Sequence, residues 1–163
     1  MNKMRDPVIA TIALGANLGD AAQQVRTAMQ SIWAHPDISA VAESDLYTSP
    51  AFQSDGPDYV NAVIQVDTTL TAPALWRVMA NIEQQAGRER PYRWAPRTLD
   101  LDLIFYGSGQ LSSAELTVPH PRWAERAFVA IPLAQIAPHL VTDLVLLAVR
   151  DQQISRLKVP IGS

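Results

Sequence analysis

The chain contains no cysteine, so it can form neither a disulfide nor a thiolate metal site. It also has little lysine, since Lys3 and Lys158 are the two lysines among 13 basic residues. Neither lies in the Gly-Lys-Ser/Thr context of a Walker phosphate loop. No apolar run is long enough to span a membrane, and the polar residues 1–6 lack the apolar stretch of a signal peptide. These absences favour a cytoplasmic protein and exclude a P-loop.

The length and composition are those of an ordinary globular protein. A chain of 163 residues can bury its own core, and we find no internal repeat, low-complexity tract or linker. We therefore expect a single domain over residues 1–163. No segment is an obvious interface, which favours a monomer. The net charge of −3 makes nucleic acid an unlikely partner, because such binding needs a basic surface.

The hydrophobic pattern predicts the order strand, helix, strand, strand, helix, strand, followed by a helical extension. Residues 15–20 are typical of a turn in which Asp20 caps the next helix, and Pro132 should bend or break the last one. This order is typical of an α+β, ferredoxin-like fold, in which helices cover an antiparallel sheet and a C-terminal helical extension follows. The predicted strands are 8–14, 41–48, 59–69 and 99–106, and the predicted helices are 20–33, 71–87 and 123–137.

Two aspartates in the fourth predicted strand are candidate metal ligands. Side chains alternate along a strand, so Asp100 and Asp102 should share one face while Leu99, Leu101 and Leu103 share the other. Neighbouring carboxylates repel each other, and a divalent cation removes that conflict. Magnesium in particular binds through one or two carboxylates together with substrate phosphates. The alternative interpretation is an edge strand with a solvated acidic face.

Arginines are concentrated in one part of the chain, beside the acid pair. A planar guanidinium matches phosphate oxygens, so this pattern favours an anionic ligand and nucleotide chemistry. The alternative is that these arginines form salt bridges with Asp100 and Asp102. The cluster consists of Arg88, Arg90, Arg93, Arg97, Arg122 and Arg126.

His120 is a further candidate phosphate ligand. It lies between Pro119 and Pro121 and within a few residues of Arg122 and Arg126, so it could donate a hydrogen bond to a phosphate. A rigid surface turn is the alternative interpretation. No second histidine lies nearby in the sequence, which disfavours a histidine-based metal site.

Aromatic residues in or beside predicted loops could sandwich a flat heteroaromatic ligand. These residues are Phe52, Tyr59, Trp94 and Phe128. Asn61 should share a strand face with Tyr59, and its amide offers both a donor and an acceptor to a ring edge. Phe52 and Phe128 could equally be ordinary core residues.

Taken together, these segments resemble the 6-hydroxymethyl-7,8-dihydropterin pyrophosphokinase family. The most specific match is residues 93–104, Arg-Trp-Ala-Pro-Arg-Thr-Leu-Asp-Leu-Asp-Leu-Ile. Supporting matches lie at residues 47–50, 57–62, 82–83, 87–88 and 116–120. The resemblance implies a reaction in which the hydroxymethyl oxygen of the reduced pterin attacks the β-phosphorus of ATP and AMP leaves.

The resemblance also implies roles for individual residues. The implied ligands of two magnesium ions are Asp100 and Asp102. The implied catalytic residues are Arg88, Trp94, Arg97 and His120. The implied pterin contacts are Ser49, Pro50, Phe52, Tyr59, Asn61 and Phe128. The implied ATP contacts are Glu83, Arg88, Arg97, Leu103, Thr117, His120 and Arg126.

Two other functions were weighed against this one. A paralogue that binds pterin or nucleotide without catalysis would not need both the acid pair and Arg97. A ferredoxin-like RNA-binding domain would need an aromatic motif on its central strands and a basic surface, whereas no such motif is present and the net charge is negative.

Overall fold

The fold is described from a computed structural model, which defines residues 5–17, 20–50, 58–87 and 99–157. The strands are β1 (Val8–Ala16), β2 (Ile38–Glu43), β3 (Tyr47–Ser49), β4 (Tyr59–Thr68), β5 (Asp100–Tyr106), β6 (Leu111–Ser112), β7 (Thr117–Val118) and β8 (Ser155–Arg156). The helices are α1 (Ala21–Trp33), α2 (Ala72–Gly87), α3 (Ala127–Ile136) and α4 (Asp143–Val149), with short 3-10 turns at Trp123–Glu125 and Pro138–Leu140. Within these ranges no helix is both long and apolar enough to cross a membrane.

The main sheet has the strand order β5-β1-β4-β3-β8, and β2 also pairs with β4. Every pairing among these strands is antiparallel. If β2 and β3 are counted as one interrupted strand, the first four strands have the 4-1-3-2 arrangement of a ferredoxin-like sheet. The predicted fold class is therefore confirmed. The short β6–β7 ribbon is separate from the main sheet.

Local signals fix where α1 and α2 begin and where β5 ends. The Asp20 carboxylate accepts a hydrogen bond from the backbone N–H of Gln23 at 3.1 Å, as predicted for an N-cap. The Thr71 hydroxyl accepts one from the N–H of Ala74 at 3.2 Å, which begins α2. Gly107 ends β5 with a φ of +54°, a conformation that glycine adopts without strain.

Helices cover both faces of the sheet. Ile12 and Leu14 point towards α1 and α2, whereas Ala13 between them packs in a second apolar cluster with α3 and α4. Val63 of β4 and Ile104 of β5 belong to this second cluster. The face of the sheet that α3 covers is also the one that carries the polar residues of the candidate site.

The sequence predicted one continuous strand over residues 41–48, and this is wrong because the structure has two strands there, β2 and β3, with a break between them. Ser44 explains the break. Its N–H donates to the carbonyl of Val63, and its hydroxyl accepts from the N–H of Val63, both at 2.9 Å. A side chain thus replaces the main-chain carbonyl that a continuous strand would supply there.

The predicted helix over residues 123–137 is interrupted at Arg126 and not at Pro132. Arg126 has an extended backbone, with φ −121° and ψ 112°, between the 3-10 turn and α3. Pro132 lies inside α3 and is buried with its neighbours Ala130 and Leu133. We infer that this burial offsets the cost of a proline in a helix interior, about 3 kcal/mol.

Candidate active site

The acid pair lies at the edge of the sheet, on the face that α3 partly covers. Asp100 pairs with Gly15 of β1, and Asp102 pairs with Ala13. Both aspartates are partly buried, whereas Leu101 between them is buried towards α1 and α2. The prediction that the two carboxylates share one face is confirmed. The edge position that the alternative interpretation required is also found, since β5 is the end strand of the described sheet.

Glu83 anchors the strand between the two aspartates. This residue lies on α2, and its carboxylate accepts a hydrogen bond from the N–H of Leu101 at 3.2 Å. That N–H belongs to an edge strand and points away from β1, so a side chain provides its partner. The sequence placed Glu83 near the nucleotide. In the structure, Glu83 bonds the backbone of Leu101, between Asp100 and Asp102.

A polar pair lies on the same face, two strands away from Asp100. Asn61 lies on β4, directly opposite Gly15 of β1, and its exposed fraction is 2 %. Its side-chain Nδ2 donates a hydrogen bond to the Ser49 hydroxyl at 2.7 Å. Tyr59 is opposite Ser49 in the β3–β4 ladder, so three of the predicted pterin contacts are neighbours.

Gly15 makes room for the Asn61 side chain. A Cβ on Gly15 would lie 3.3 Å from Asn61 Oδ1, closer than most real Cβ contacts. The sequence placed Gly15 in a turn before α1, and that assignment is wrong because β1 continues to Ala16. A glycine inside a strand often marks a close approach of another group, and this is the signal that could have identified it.

His120 is held next to the acid pair. The backbone N–H of His120 donates to the carbonyl of Ile104 on β5 at 2.9 Å. The ring Nδ1 of His120 accepts from the backbone N–H of Arg122 at 3.1 Å. Because Nδ1 is an acceptor, the proton of the neutral ring is on Nε2.

Charge and burial favour that neutral ring. Burial lowers the pKa of His120 from its usual value of 6.5. The charge of Asp102 raises the same pKa, and the charges of Arg126 and Arg122 lower it. Near neutral pH the imidazole therefore presents an uncharged Nε2–H donor among charged neighbours.

Arg126 and Phe128 bring the predicted nucleotide and pterin contacts together at the start of α3. The guanidinium carbon of Arg126 lies 5.6 Å from the centroid of the Phe128 ring, a distance typical of a cation–π contact. Phe128 is partly buried and packs against the second apolar cluster. Thr117 lies on β7 and is exposed.

The remaining predicted residues are placed as follows. Ser49 is partly buried at the end of β3, and Pro50 after it is exposed. Leu103 is 3 % exposed and packs with Leu101 against α1 and α2, on the face opposite Asp102. This burial limits its predicted contact with ATP to its main chain. The predictions for Phe52, Arg88, Trp94 and Arg97 lie outside the described residues.

The carboxylates of this site suit a metal ion that takes some of its ligands from the substrate. In the described part of the chain, no three His, Asp or Glu side chains are grouped as a complete metal site. Magnesium commonly takes one or two carboxylates and completes its shell with water and phosphate oxygens. Asp100 and Asp102 provide carboxylates of that kind on one face of β5.

Comparison with known proteins identifies the family of the chain. A model of the family described as 7,8-dihydro-6-hydroxymethylpterin-pyrophosphokinase (HPPK) matches residues 11–138. The chain is 42 % identical over 132 residues to the 2-amino-4-hydroxy-6-hydroxymethyldihydropteridine pyrophosphokinase of Synechocystis, covering 81 % of this chain and 68 % of that protein. It is 41 % identical over 133 residues to the protein of the same name from Methylorubrum extorquens, covering 81 % and 84 %.

A solved structure is similar in fold. Plasmodium falciparum HPPK-DHPS A437G with pteroate matches with a TM-score of 0.62 over 84 % of this chain. The sequence identity is 11 %, so this likeness concerns the fold alone. The chain spans 41 % of that longer chain. From the family match and the two bacterial relatives, we conclude that the chain belongs to the 7,8-dihydro-6-hydroxymethylpterin-pyrophosphokinase family.

Proposed function

We propose that this protein transfers the diphosphate group of ATP to 6-hydroxymethyl-7,8-dihydropterin and releases AMP, as a step of folate biosynthesis. The observation that carries the proposal is the register of three strands. Asp100, Gly15 and Asn61 are directly opposite one another on β5, β1 and β4. Neighbouring strands are about 4.8 Å apart, so the backbones at Asp100 and Asn61 are roughly 10 Å apart. A pterin held at Asn61 can therefore direct its hydroxymethyl arm towards a triphosphate held beside Asp100.

The pterin end of this site recognises the ring by hydrogen bonding and stacking. The bond from Asn61 to Ser49 fixes the orientation of the Asn61 amide, which leaves its carbonyl oxygen to accept from a ring N–H or amino group. Tyr59 and Phe128 provide aromatic faces, and stacking on such a ring contributes about 0.5–1.5 kcal/mol.

At the phosphate end, neutral and cationic donors surround the reacting group. The hydroxymethyl oxygen forms a bond to the β-phosphorus, the bond from that phosphorus to the α,β-bridging oxygen breaks, and the hydroxyl proton is released. The Nε2–H of His120 and the guanidinium of Arg126 donate to phosphate oxygens and stabilise the charge on them. Asp100 and Asp102 are the residues that would hold magnesium, which supplies charge neutralisation to the triphosphate when bound. Arg88, Trp94 and Arg97 remain part of the proposal as catalytic residues, on the sequence resemblance alone.

The decisive experiment is a chromatographic assay that separates AMP from ADP. Wild-type protein with ATP, magnesium and the dihydropterin should form AMP, and omission of magnesium or pterin should abolish it. Asp100→Asn and Asp102→Asn should each lower the rate by about a hundredfold or more, because each removes a carboxylate that would hold the magnesium ion whose positive charge stabilises the transition state. Circular dichroism should show that both variants remain folded.

Asp67→Asn is a matched control. Asp67 is also partly buried on the sheet, and strand alternation from Val63 puts it on the same face, but it lies at the far end of β4. Its amide variant should keep the wild-type rate. Full activity in both variants of the acid pair would remove the metal assignment, and pterin binding without AMP would favour a non-catalytic binding protein.

A further inference from the structure

Helix α3 begins without a cap of its own. Arg126 occupies the N-cap position, and its side chain makes no capping hydrogen bond. The first backbone N–H groups of a helix need partners from outside the helix. For Ala127 the partner is Gln152, whose Oε1 accepts this hydrogen bond at 2.8 Å.

The same Gln152 amide makes a second bond on the other side of Arg126. Its Nε2 donates to the carbonyl oxygen of Glu125 at 2.7 Å. One side chain thus bonds the residue before Arg126 and the residue after it. Both bonds come from the segment that follows α4, 25 and 27 residues further along the chain.

These two bonds flank Arg126, whose own N–H donates to the Trp123 carbonyl at 3.2 Å and whose carbonyl accepts from the N–H of Ala130 at 2.9 Å. Its backbone is extended, and the two flanking bonds add to these contacts in fixing the direction in which its side chain leaves the chain. From this position Arg126 lies over the Phe128 ring and lowers the pKa of His120. A change in the backbone at Arg126 would therefore disturb both the contacts that we assign to ATP and the Phe128 ring that we assign to the pterin.

We propose that Gln152 is a positioning residue, which holds Arg126 in the orientation that binds the phosphates of ATP. The inference rests on the proposed function and extends it to a part of the chain outside the family match, which ends at residue 138. A purely structural role explains the arrangement less well, because Gln152 is exposed and buries little surface. Its hydrogen bonds act on the conformation of one turn.

The test compares Gln152→Ala with Gln153→Ala, a neighbouring exposed glutamine for which we assign no role. Binding of α,β-methylene-ATP with magnesium is measured by calorimetry, and KM for ATP and kcat are measured by AMP formation. Loss of two hydrogen bonds should weaken analogue binding and raise KM for ATP by about tenfold in Gln152→Ala, with kcat within about twofold. Gln153→Ala should match the wild type in all three quantities.

A double-mutant cycle separates positioning from a general effect on the fold. If Gln152 acts through Arg126, the effect of Gln152→Ala on analogue affinity should disappear in an Arg126→Ala background. Full additivity of the two effects would overturn the inference. So would wild-type analogue binding and KM in Gln152→Ala.

A third variant covers the possibility that Gln152→Ala does not fold. Gln152→Glu keeps an acceptor for the N–H of Ala127 but loses the donor to the Glu125 carbonyl. Weaker analogue binding at an unchanged melting temperature supports positioning, and unchanged binding overturns it. Absence of AMP formation by the wild-type protein would instead refute the proposed function, so the two failures are distinguishable.

Discussion

At the scale of single residues, the site depends on contacts between groups that are far apart in sequence. Gly15 and Asn61 are separated by 45 intervening residues in the sequence, yet Asn61 Oδ1 lies only 3.3 Å from the position that a Cβ on Gly15 would take. The alternation rule predicted the shared face of Asp100 and Asp102 because that relation is local. The Gly15–Asn61 contact depends on strand register, which the local pattern does not contain. For this reason the sequence placed Asn61 on a strand correctly but assigned Gly15 to a turn.

Gly15→Ala should affect the pterin more than the nucleotide. The added Cβ would lie 3.3 Å from Asn61 Oδ1 and would displace the amide that we propose binds the edge of the pterin ring. We expect KM for the dihydropterin to rise several-fold and KM for ATP to stay within about twofold. Unfolding free energy should change by less than about 1 kcal/mol, because alanine is well tolerated in an extended strand. Equal increases in both KM values would contradict this assignment.

At the scale of elements, the sequence predicted where segments begin and end more successfully than where they are interrupted. The caps at Asp20 and Thr71 are local hydrogen bonds, and both are found. The break at Ser44 depends on a bond to β4, and the continuity of α3 through Pro132 depends on burial against the sheet. Both the break at Ser44 and the continuity at Pro132 are set by tertiary contacts that override local preference.

Ser44→Ala should destabilise the protein by about 1–3 kcal/mol, because it leaves the buried N–H of Val63 without its hydroxyl acceptor. Ser44 is 5 % exposed, so water cannot readily take the place of that hydroxyl. Urea denaturation measures the effect directly. Ser39→Ala, at an exposed position of β2, is the matched control and should change the unfolding free energy by less than about 0.5 kcal/mol. Equal stabilities of the two variants would show that the Ser44 hydroxyl does not hold the break.

At the scale of the whole molecule, one sheet serves two layers of helices. The described strands contribute alternate side chains to the cluster under α1 and α2 and to the cluster under α3 and α4. Periodicity predicted the order of the elements from β1 to β5, apart from the break between β2 and β3, but residues 143–159 were too weakly patterned to reveal α4 and β8. Those elements are specified by docking onto the sheet and by side chains such as Gln152. The single domain over residues 1–163 and the monomeric state remain proposals.

Leu133→Ala should lower the stability of both layers together, because they share the same strands. Leu133 is fully buried in the cluster under α3, and truncation of such a leucine costs about 2–5 kcal/mol. The unfolding of each layer can be followed by tryptophan fluorescence in variants that keep one of two sets of tryptophans. Trp123 reports on the layer of α3, and Trp33 and Trp76 report on the layer of α1 and α2. The two unfolding midpoints should shift equally.

The control for this substitution is Leu144→Ala on α4. Leu144 is 77 % exposed, so its truncation should change the unfolding free energy by less than about 0.5 kcal/mol. Separate midpoints for the two probe sets in Leu133→Ala would show that the layers unfold independently.

The acidic edge of the sheet has a consequence for self-association. An edge strand offers unpaired main-chain groups to a strand of another molecule, which is a common route to aggregation. On β5 the N–H of Leu101 is already bonded to Glu83, and the carboxylates of Asp100 and Asp102 flank it. A second copy approaching this edge would meet an occupied donor between two like charges. The carboxylates that we assign to metal binding therefore also protect the edge of β5 from intermolecular strand pairing.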